Sequence, residues 1–411
     1  RRSMLPDGFR AGTVGLEFTP AEKAVDVPYV MNVSAVTLDL PTSLFAGRLT
    51  RNLFPGAPIH IARRRLDEPD IQGILVNNRI SNVCVPSGEQ DAQELLEAFA
   101  ASAGLSAQRL IPASTGIIGW GLPVTEMKAS LPQLVQNMQS ETILEVARAI
   151  MTTDLFPKVR SAEVGGGRVV GIAKGAGMIE PNMGTMLVFL FTDVLLSRDE
   201  MRRIHADVVE ETFNRISIDG DQSTSDMAIL LSSGIHHAPD AESFRRGLFS
   251  VCRSLAEDIV RNGEGTSHVI RVMVRNAPES KTAVALGKAV VNSPLVKTAV
   301  FGDDPNVGRI VMAAGDYLGN AHPDFDASAL SVSIGGHRVF AGGSFCIGTD
   351  AEETISRHLQ AARLDPDNCK YPVHEHLVDI ELDLARGAES AEVLGSDLSY
   401  GYVRENADYR T

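Results

Sequence analysis

Thr185 and the glycine-rich stretch before it are the part of the chain whose residue types point most directly to chemistry. Residues 171–187 read GIAKGAGMIEPNMGTML. Lys174 is the single cation there, and an unpaired ammonium group would be costly to bury. Thr185 follows Gly184 at the start of an apolar run, which places its hydroxyl where the chain enters a buried strand. Two interpretations follow: a glycine-rich turn with a hydrogen-bonded threonine, or a threonine that acts as a nucleophile.

Ser114, Thr115 and Gly116 form a second polar group, placed directly after the apolar strand that ends at Ile111. A turn of this kind offers a hydroxyl and a backbone N–H to a developing negative charge. From the residues alone, however, a plain polar loop is the favoured interpretation. Glu264 likewise reads as a solvated loop charge when it is considered alone.

The sequence argues against a metal site. Asp219, Asp221 and Asp226 have a spacing that resembles part of a calcium loop, but the distal glutamate of such a loop is missing. Aspartates in turns of this kind usually cap their own backbone. His236 and His237 lack the i, i+4 spacing of helical metal ligands and are predicted to lie in surface loops. We therefore predict no metal ligands.

Composition excludes several classes of partner. The 411-residue chain has 38 Lys and Arg against 52 Asp and Glu, a formal charge of -14, which repels nucleic acid and anionic lipid. The cysteines lack the paired spacing of zinc sites or disulfide frameworks: Cys84, Cys252, Cys346 and Cys369. No apolar run reaches the roughly 20 residues of a transmembrane helix. These features predict a globular cytoplasmic protein with no nucleic-acid or membrane partner.

Helices and strands alternate along the chain without repeats or long linkers, which predicts an α+β protein of two to three lobes. Apolar periodicity predicts helices over residues 92–103, 141–151 and 244–259. The last of these carries Cys252 on its apolar stripe, so that thiol is predicted to be buried in the core. Ser197 forms a capping box with Glu200 at the start of a further helix.

Alternation of apolar and polar residues predicts strands over residues 270–275, 332–334 and 376–384, in addition to the apolar run after Thr185. The last segment, 399–411, is expected to be ordered. The apolar face that would hold it consists of Tyr400, Tyr402, Val403 and Tyr409.

The stretch from Lys174 to Leu187 resembles the self-cleavage motif of the ornithine acetyltransferase family, the glutamate N-acetyltransferases of arginine biosynthesis. Other segments that resemble this family follow in the expected order: residues 112–119, 149–154, 219–226, 263–266, 291–299 and 402–411. Such a series over nearly the whole chain is a specific signal.

The resemblance implies an αββα layered, self-processing fold of the ornithine acetyltransferase and DmpA-like type. It also implies that the precursor breaks between Gly184 and Thr185. The products would be an α chain of residues 1–184 and a β chain of residues 185–411, associated as an α2β2 assembly. The new N-terminal amine of Thr185 would serve as the base for its own hydroxyl. An unperturbed α-amine pKa of about 7.7–8 leaves a useful neutral fraction near physiological pH.

The resemblance further assigns the residues of the site. Thr115 and Gly116 would stabilise the oxyanion, and small amino acids would be the substrates. The substrate-binding positions are Thr152, Lys174, Thr185, Glu264, Asn406 and Thr411. An amino acid with a carboxylate and an ammonium group needs one fixed cation and one fixed anion, which Lys174 and Glu264 supply. No bound cofactor is implied, and acetyl-CoA is an alternative acetyl donor.

The sequence departs from the family pattern in places that concern the substrate. Residues 80–88 keep only part of an Asn-Ala-Asn-Ala-Cys-Thr-Gly-like loop, Val307 stands where tryptophan normally follows Asp-Pro-Asn, and His268 stands where lysine is common. Gly184 replaces a frequent alanine, a mild change.

Two hypotheses follow. The first is acetyl transfer from N-acetylornithine to glutamate, and the alternative is a paralogue that transfers or hydrolyses a different N-acyl amino acid. A non-catalytic scaffold is disfavoured, because the nucleophile, oxyanion and charge positions are all present.

Overall fold

The computed structural model describes residues 1–25, 27–180, 186–365 and 372–408, apart from the side chain of Thr349. The chain forms two compact units, in agreement with the two to three lobes expected. The first unit comprises Arg1–Gly175, Pro181–Asn214 and Gln222–Ala256, and the second comprises Ala176–Glu180, Arg215–Asp221 and Glu257–Thr411. Each unit is therefore built from several separate stretches of chain.

Helices and strands are mixed along the whole chain. The strands are β1 (Phe9–Phe18), β2 (Tyr29–Thr42), β3 (Phe45–Leu49), β4 (Ile71–Asn77), β5 (Leu110–Ser114), β6 (Lys158–Val164), β7 (Gly167–Lys174), β8 (Leu187–Leu195), β9 (Ile216–Ser217), β10 (Met227–His237), β11 (Val269–Ala277), β12 (Ser331–Ile334), β13 (His337–Ala341), β14 (Ser344–Phe345), β15 (Val378–Asp383) and β16 (Glu389–Ser396). The helices are α1 (Ala57–Asp67), α2 (Gly88–Ala103), α3 (Val124–Gln136), α4 (Leu144–Ala149), α5 (Arg198–Glu211), α6 (Ala241–Arg261), α7 (Ser280–Asn292), α8 (Pro294–Phe301), α9 (Val307–Ala321), α10 (Thr349–Ala362) and α11 (Tyr400–Ala407).

Two sheets face each other in the first unit. One has the strand order β1-β2-β4-β5 and the other has the order β3-β10-β8-β7-β6. Alternate residues of both sheets meet in one apolar cluster, in which Phe9 and Val36 of the first sheet pack with Phe189 and Ile229 of the second. Since side chains alternate between the faces of a strand, the intervening residues point to the outer faces.

Helices cover both outer faces of these sheets. On the first sheet, Leu75 of β4 shares a second apolar cluster with Phe99 of α2 and Leu131 of α3. On the other sheet, a Cβ placed on Gly171 of β7 would meet Val251 of α6. Helix α6 therefore packs closely against strand β7. The first unit is thus an αββα arrangement, and the fold class expected from the sequence is confirmed.

The second unit is built on one sheet with the strand order β14-β13-β12-β15-β11-β16-β9. Its apolar face packs against α7, α9 and α10, with Val272 of β11 in the same cluster as Leu286, Ile310 and Ile355. The other face of β11 is charged, and Arg275 pairs with Glu381 of β15 at 2.7 Å. This unit therefore has two layers.

In the described part of the chain, no single helix is long and apolar enough to cross a membrane. Only α7 and α8 taken together reach that length and composition, and they are bent by 58° relative to each other.

Most sequence-based element predictions are confirmed. The predicted helix over residues 92–103 is α2, and the apolar stripe over 244–259 is α6, where Cys252 is fully buried. At the start of α5 the Glu200 N–H donates to the Ser197 hydroxyl at 3.3 Å, so the cap forms as expected. The helix predicted over 141–151 is shorter, because α4 begins only at Leu144.

Two predictions about surface segments are wrong. His236 and His237 end strand β10 and do not lie in a loop, because after a register shift they pair with Val194 and Leu195 of β8. Residues 400–407 are ordered as α11, but their side chains do not form the expected buried face: Tyr400 is 80% exposed and Val403 is 59% exposed. Backbone capping by Ser399, whose hydroxyl accepts from the Tyr402 N–H at 3.2 Å, begins this helix instead.

Candidate active site

The turn after β5 is held in place by Asn77 at the end of β4. The Ser114 hydroxyl donates to the Asn77 side-chain oxygen at 2.6 Å, and the Thr115 N–H donates to the Asn77 carbonyl at 3.1 Å. Gly116 has a φ of 130°, and a Cβ there would overlap the Arg79 carbonyl. Only glycine therefore fits this close approach of two backbone segments.

Two hydrogen-bond donors remain open at this turn. Among the described residues, neither the Thr115 hydroxyl nor the Gly116 N–H has a hydrogen-bond partner. Thr115 is nevertheless buried, at 7% exposure. A rigid turn that presents two unused donors can bind an anionic oxygen, which is the chemistry expected of Thr115 and Gly116.

Asp154 joins the two substrate-binding residues predicted in the first unit. One of its carboxylate oxygens accepts from the Thr152 N–H at 3.1 Å. The other accepts from the Gly175 N–H, directly after Lys174, at 2.8 Å. Gly175 has a φ of 155°, a conformation that glycine adopts without strain. Glycine at this position therefore lets the chain turn directly after Lys174.

The Asp154 carboxylate is also paired with Lys158, and both side chains are fully buried. Burial alone raises the pKa of Asp154, but the charges of Lys158 and Lys174 and the hydrogen bonds from Lys158 and Gly175 outweigh it and lower the pKa to about 2. Asp154 is therefore ionised at neutral pH. The Lys174 side chain is half-buried, and its ammonium group has no hydrogen-bond partner among the described residues. This ammonium group is therefore available to a ligand.

Glu264 and Asn406 lie together in the second unit. The Asn406 amide of α11 donates to the Glu264 carboxylate at 2.8 Å, and the Glu264 N–H donates to the Ala176 carbonyl at 2.8 Å. A Cβ on Gly177 would overlap the Glu264 carboxylate. The lack of a side chain at Gly177 therefore permits this close approach, and Glu264 is fixed by contacts rather than being a freely solvated loop charge.

Asp219 anchors the segment that follows Gly177. Its carboxylate accepts from the backbone N–H groups of Met178 and Ile179 at 2.7 and 2.8 Å, and from the Tyr402 hydroxyl at 3.3 Å. Burial and the nearby carboxylates of Asp219 and Glu264 raise the pKa of the Tyr402 hydroxyl well above its usual range. Among the described residues, Asp219 caps its own turn through a single bond, from the Asp221 N–H at 3.3 Å. Its main role is thus to hold a distant segment.

Three predicted site residues lie outside the described part of the chain: Gly184, Thr185 and Thr411. The others divide between the units. Thr115, Gly116, Thr152 and Lys174 belong to the first unit, and Glu264 and Asn406 belong to the second.

The positions that depart from the family pattern have structural roles of their own. Val307 begins α9 and is buried at 5% exposure. His268 is fully buried, and its Nδ1 lies 2.9 Å from the Asp397 carboxylate. In the 80–88 loop the Ser81 hydroxyl donates to the Ile117 carbonyl at 2.7 Å, next to the turn that carries Gly116. A change in this loop is therefore a change beside the predicted oxyanion donors.

Comparison with known proteins agrees with these motifs. The ArgJ family model matches residues 23–411. The chain belongs to the ArgJ family. It is 38% identical over 367 residues to an arginine biosynthesis bifunctional protein ArgJ of Nostoc sp., which covers 89% of this chain and 90% of that protein. It is 37% identical to a glutamate N-acetyltransferase of Methanosarcina mazei, with 93% and 95% of the two chains covered.

Among solved structures, the arginine biosynthesis bifunctional protein of Bacillus halodurans is 31% identical, with a TM-score of 0.47 over 54% of this chain and 98% of that one. Membership of the ArgJ family confirms the predicted resemblance. It also confirms the prediction that the chain is an enzyme of an arginine-biosynthesis acyltransferase family.

Reasoning from the sequence missed several residues that hold the segments of this candidate site. Asp154 and Asp219 lie inside the segments that resemble the family, at 149–154 and 219–226, so their position was marked although their role was not. Lys158 carried no signal, because nothing in the sequence shows that its ammonium group is buried against a carboxylate. Tyr402 was assigned to an apolar face, whereas its hydroxyl binds Asp219.

Proposed function

We propose that this ArgJ protein moves an acetyl group from N-acetylornithine to glutamate through an acyl-Thr185 intermediate. The observation that carries the proposal is the match to the ArgJ family over residues 23–411, which includes the Gly184-Thr185 pair. The open donors of Thr115 and Gly116 support it. Acetyl-CoA as a second acetyl donor and an α2β2 assembly remain part of the same proposal.

Self-cleavage supplies the catalytic base. The Thr185 hydroxyl attacks the Gly184 carbonyl, the peptide C–N bond breaks, and the α-amine takes up the hydroxyl proton. Water then hydrolyses the resulting ester, which leaves a carboxylate on Gly184 and a free N-terminal Thr185. Because Gly184 has no side chain, the peptide can more easily adopt the strained geometry that transfer of the Gly184 acyl group from nitrogen to oxygen needs.

Transfer then proceeds in two steps. The α-amine accepts the Thr185 hydroxyl proton while the oxygen attacks the acetyl carbonyl, and the proton passes to the departing amine of ornithine. The glutamate amine next attacks the acetyl-threonine ester, and Thr185 regains its proton. In both steps the Thr115 hydroxyl and the Gly116 N–H stabilise the oxyanion.

Charge recognition selects the amino acid. We assign the substrate carboxylate to Lys174, whose ammonium group has no hydrogen-bond partner among the described residues, together with Thr152. We assign the side-chain ammonium group of ornithine to Glu264, held by Asn406. Thr411 completes the set. Charge-assisted hydrogen bonds of this kind are about twice as strong as neutral ones.

The altered 80–88 loop favours one alternative. Ser81 contacts the Ile117 carbonyl beside Gly116. We therefore expect the loop change to alter which acyl group is accepted more than it alters binding by Lys174 or Glu264. The alternative is therefore transfer or hydrolysis of a different N-acyl amino acid by the same threonine.

Incubation of the purified protein with N-acetylornithine and glutamate tests the proposal. We expect N-acetylglutamate and free ornithine in equal amounts. Rapid quenching with N-acetylornithine alone should show one added acetyl group on the β chain. If the β chain is acetylated by a small activated ester but not by N-acetylornithine, the donor is different and the alternative applies.

A further inference from the structure

Asp154 and Lys158 form a buried ion pair close to the predicted substrate-binding residue Lys174. Asp154 lies in the connection between α4 and β6. Lys158 is the first residue of β6 and pairs with Ala173 of β7, the neighbour of Lys174. Both charged side chains have no exposure. Because two desolvated charges often gain little stability over apolar residues of the same size, such a pair invites a functional explanation.

The two backbone N–H groups that donate to the Asp154 carboxylate belong to segments with predicted substrate-binding residues. One oxygen fixes the backbone of Thr152, and the other fixes the backbone of Gly175, immediately after Lys174. A single rigid group thus sets the relative position of two chain segments that are far apart in sequence. Removing the carboxylate would release both segments together.

The salt bridge between Asp154 and Lys158 also leaves Lys174 available to bind a ligand. Asp154 forms its salt bridge with Lys158, whereas Lys174 contributes only a favourable charge nearby. If Lys158 were absent, Asp154 would be the strongest competitor for the Lys174 ammonium group. The buried lysine therefore keeps the second lysine free for a ligand carboxylate.

We propose that Asp154 is a positioning residue for carboxylate recognition. Its negative charge is balanced by Lys158, and its two oxygens hold the segments of Thr152 and Lys174 in place, so that together they bind the carboxylate of the amino-acid substrate. This inference rests on the proposed function. It predicts a selective loss of affinity for the carboxylate, with the acyl-transfer chemistry at Thr185 preserved.

The test compares two inhibitors that differ only in a carboxylate. Ornithine is 1,4-diaminobutane with a carboxylate added, and each is measured as an inhibitor of p-nitrophenyl acetate turnover. In the unmutated protein, ornithine should inhibit at roughly 10-fold or more lower concentration than 1,4-diaminobutane. In the double variant Asp154→Asn with Lys158→Met, this ratio should fall to about 1–2, while ester turnover changes by less than about three-fold.

The double variant is chosen because Asp154→Asn alone leaves the Lys158 ammonium group buried without its partner. Glu257→Gln is a harsher control, because it leaves Arg261 without its carboxylate in another buried i, i+4 pair. It should lower the melting temperature and leave the inhibitor ratio unchanged.

Three results would overturn the inference, and they are distinguishable. A double variant that keeps the ratio shows that Asp154 does not position the carboxylate site. A parallel loss of ester turnover and ratio, also seen in Glu257→Gln, shows a merely structural role. An unmutated protein that does not distinguish ornithine from 1,4-diaminobutane contradicts the proposed function itself.

Discussion

The two units hold their parts of the predicted site in different ways. In the first unit, Lys174 stands beside a fully buried ion pair, and Thr115 lies in a turn closed by Asn77. In the second unit, Glu264 is half-buried and is held by Asn406 from a helix whose side chains are largely exposed. Lys174 and Glu264 are themselves both half-buried, so the difference lies in their surroundings: fully buried charges beside Lys174 and an exposed helix beside Glu264. We therefore expect the first unit to carry the reaction itself and the second to choose among donors.

The largest expected effect is at the nucleophile, on which both parts depend. Thr185→Ala should abolish cleavage and transfer, because loss of a covalent nucleophile costs many powers of ten. Thr185→Ser should retain some of each, since only a methyl group is lost. Mass spectrometry should find chains of residues 1–184 and 185–411 in the unmutated protein and an uncut chain in Thr185→Ala. Residual transfer above background in that variant would contradict the acyl-threonine mechanism.

Thr115→Val tests whether the first unit carries the reaction. Valine keeps the shape of threonine but removes one oxyanion donor, so kcat should fall by roughly 10²–10³-fold. The loss should be equal for p-nitrophenyl acetate and for N-acetylornithine, because both build the same oxyanion. As a control, Thr298→Val removes an exposed hydroxyl that donates within α8 and accepts from Arg309 of α9; kcat should be unchanged. A loss confined to N-acetylornithine would place Thr115 in substrate binding instead.

Glu264→Gln tests whether the second unit selects the donor. The amide keeps an oxygen to accept from Asn406 but removes the negative charge, which should reduce kcat/KM for N-acetylornithine by roughly one to two powers of ten. Turnover of p-nitrophenyl acetate, which has no ammonium group, should change little. Glu405→Gln, on the exposed surface of α11, is the matched control. An equal loss on both substrates would mean that Glu264 supports the fold or the Thr185 amine.

The smallest effect concerns acid stability, because the stabilisation that ionised Asp154 provides is constant near neutral pH and changes only below about pH 4. The pKa of Asp154 in the folded protein is about 2, below its usual 3.8. Ionised Asp154 therefore stabilises the fold above about pH 4, and this contribution of about 2 kcal/mol is lost as the pH falls through about 2. Urea unfolding between pH 2 and pH 5 should show a shallower loss of stability for the Asp154→Asn, Lys158→Met variant. An identical pH profile for both proteins would show that the pair does not titrate in this way.

What the sequence could predict depends on how local the cause is. The Ser197 cap, the apolar stripe around Cys252 and the buried strand after Thr185 follow from residues within a few positions of each other, and the structure confirms them. The family motifs located Thr115, Lys174 and Glu264. The Asp154–Lys158 pair is buried by the packing of the first unit as a whole. The link from Asp219 to residues 178–179 spans about forty positions of the chain. Neither leaves a local pattern that sequence reasoning can detect.

The neighbouring strands β7 and β8 give self-cleavage a further consequence. Their antiparallel register runs from Val169↔Thr192 to Lys174↔Leu187, with the predicted break in the connection between them. Before the break this pairing is a contact within one polypeptide, and afterwards it is an interface between two. Refolding of the mature protein would then have to bring two separate chains together, at a cost that depends on their concentration. If cleavage occurs as proposed, the mature enzyme should therefore refold less completely after denaturation than an uncleaved variant of the same chain.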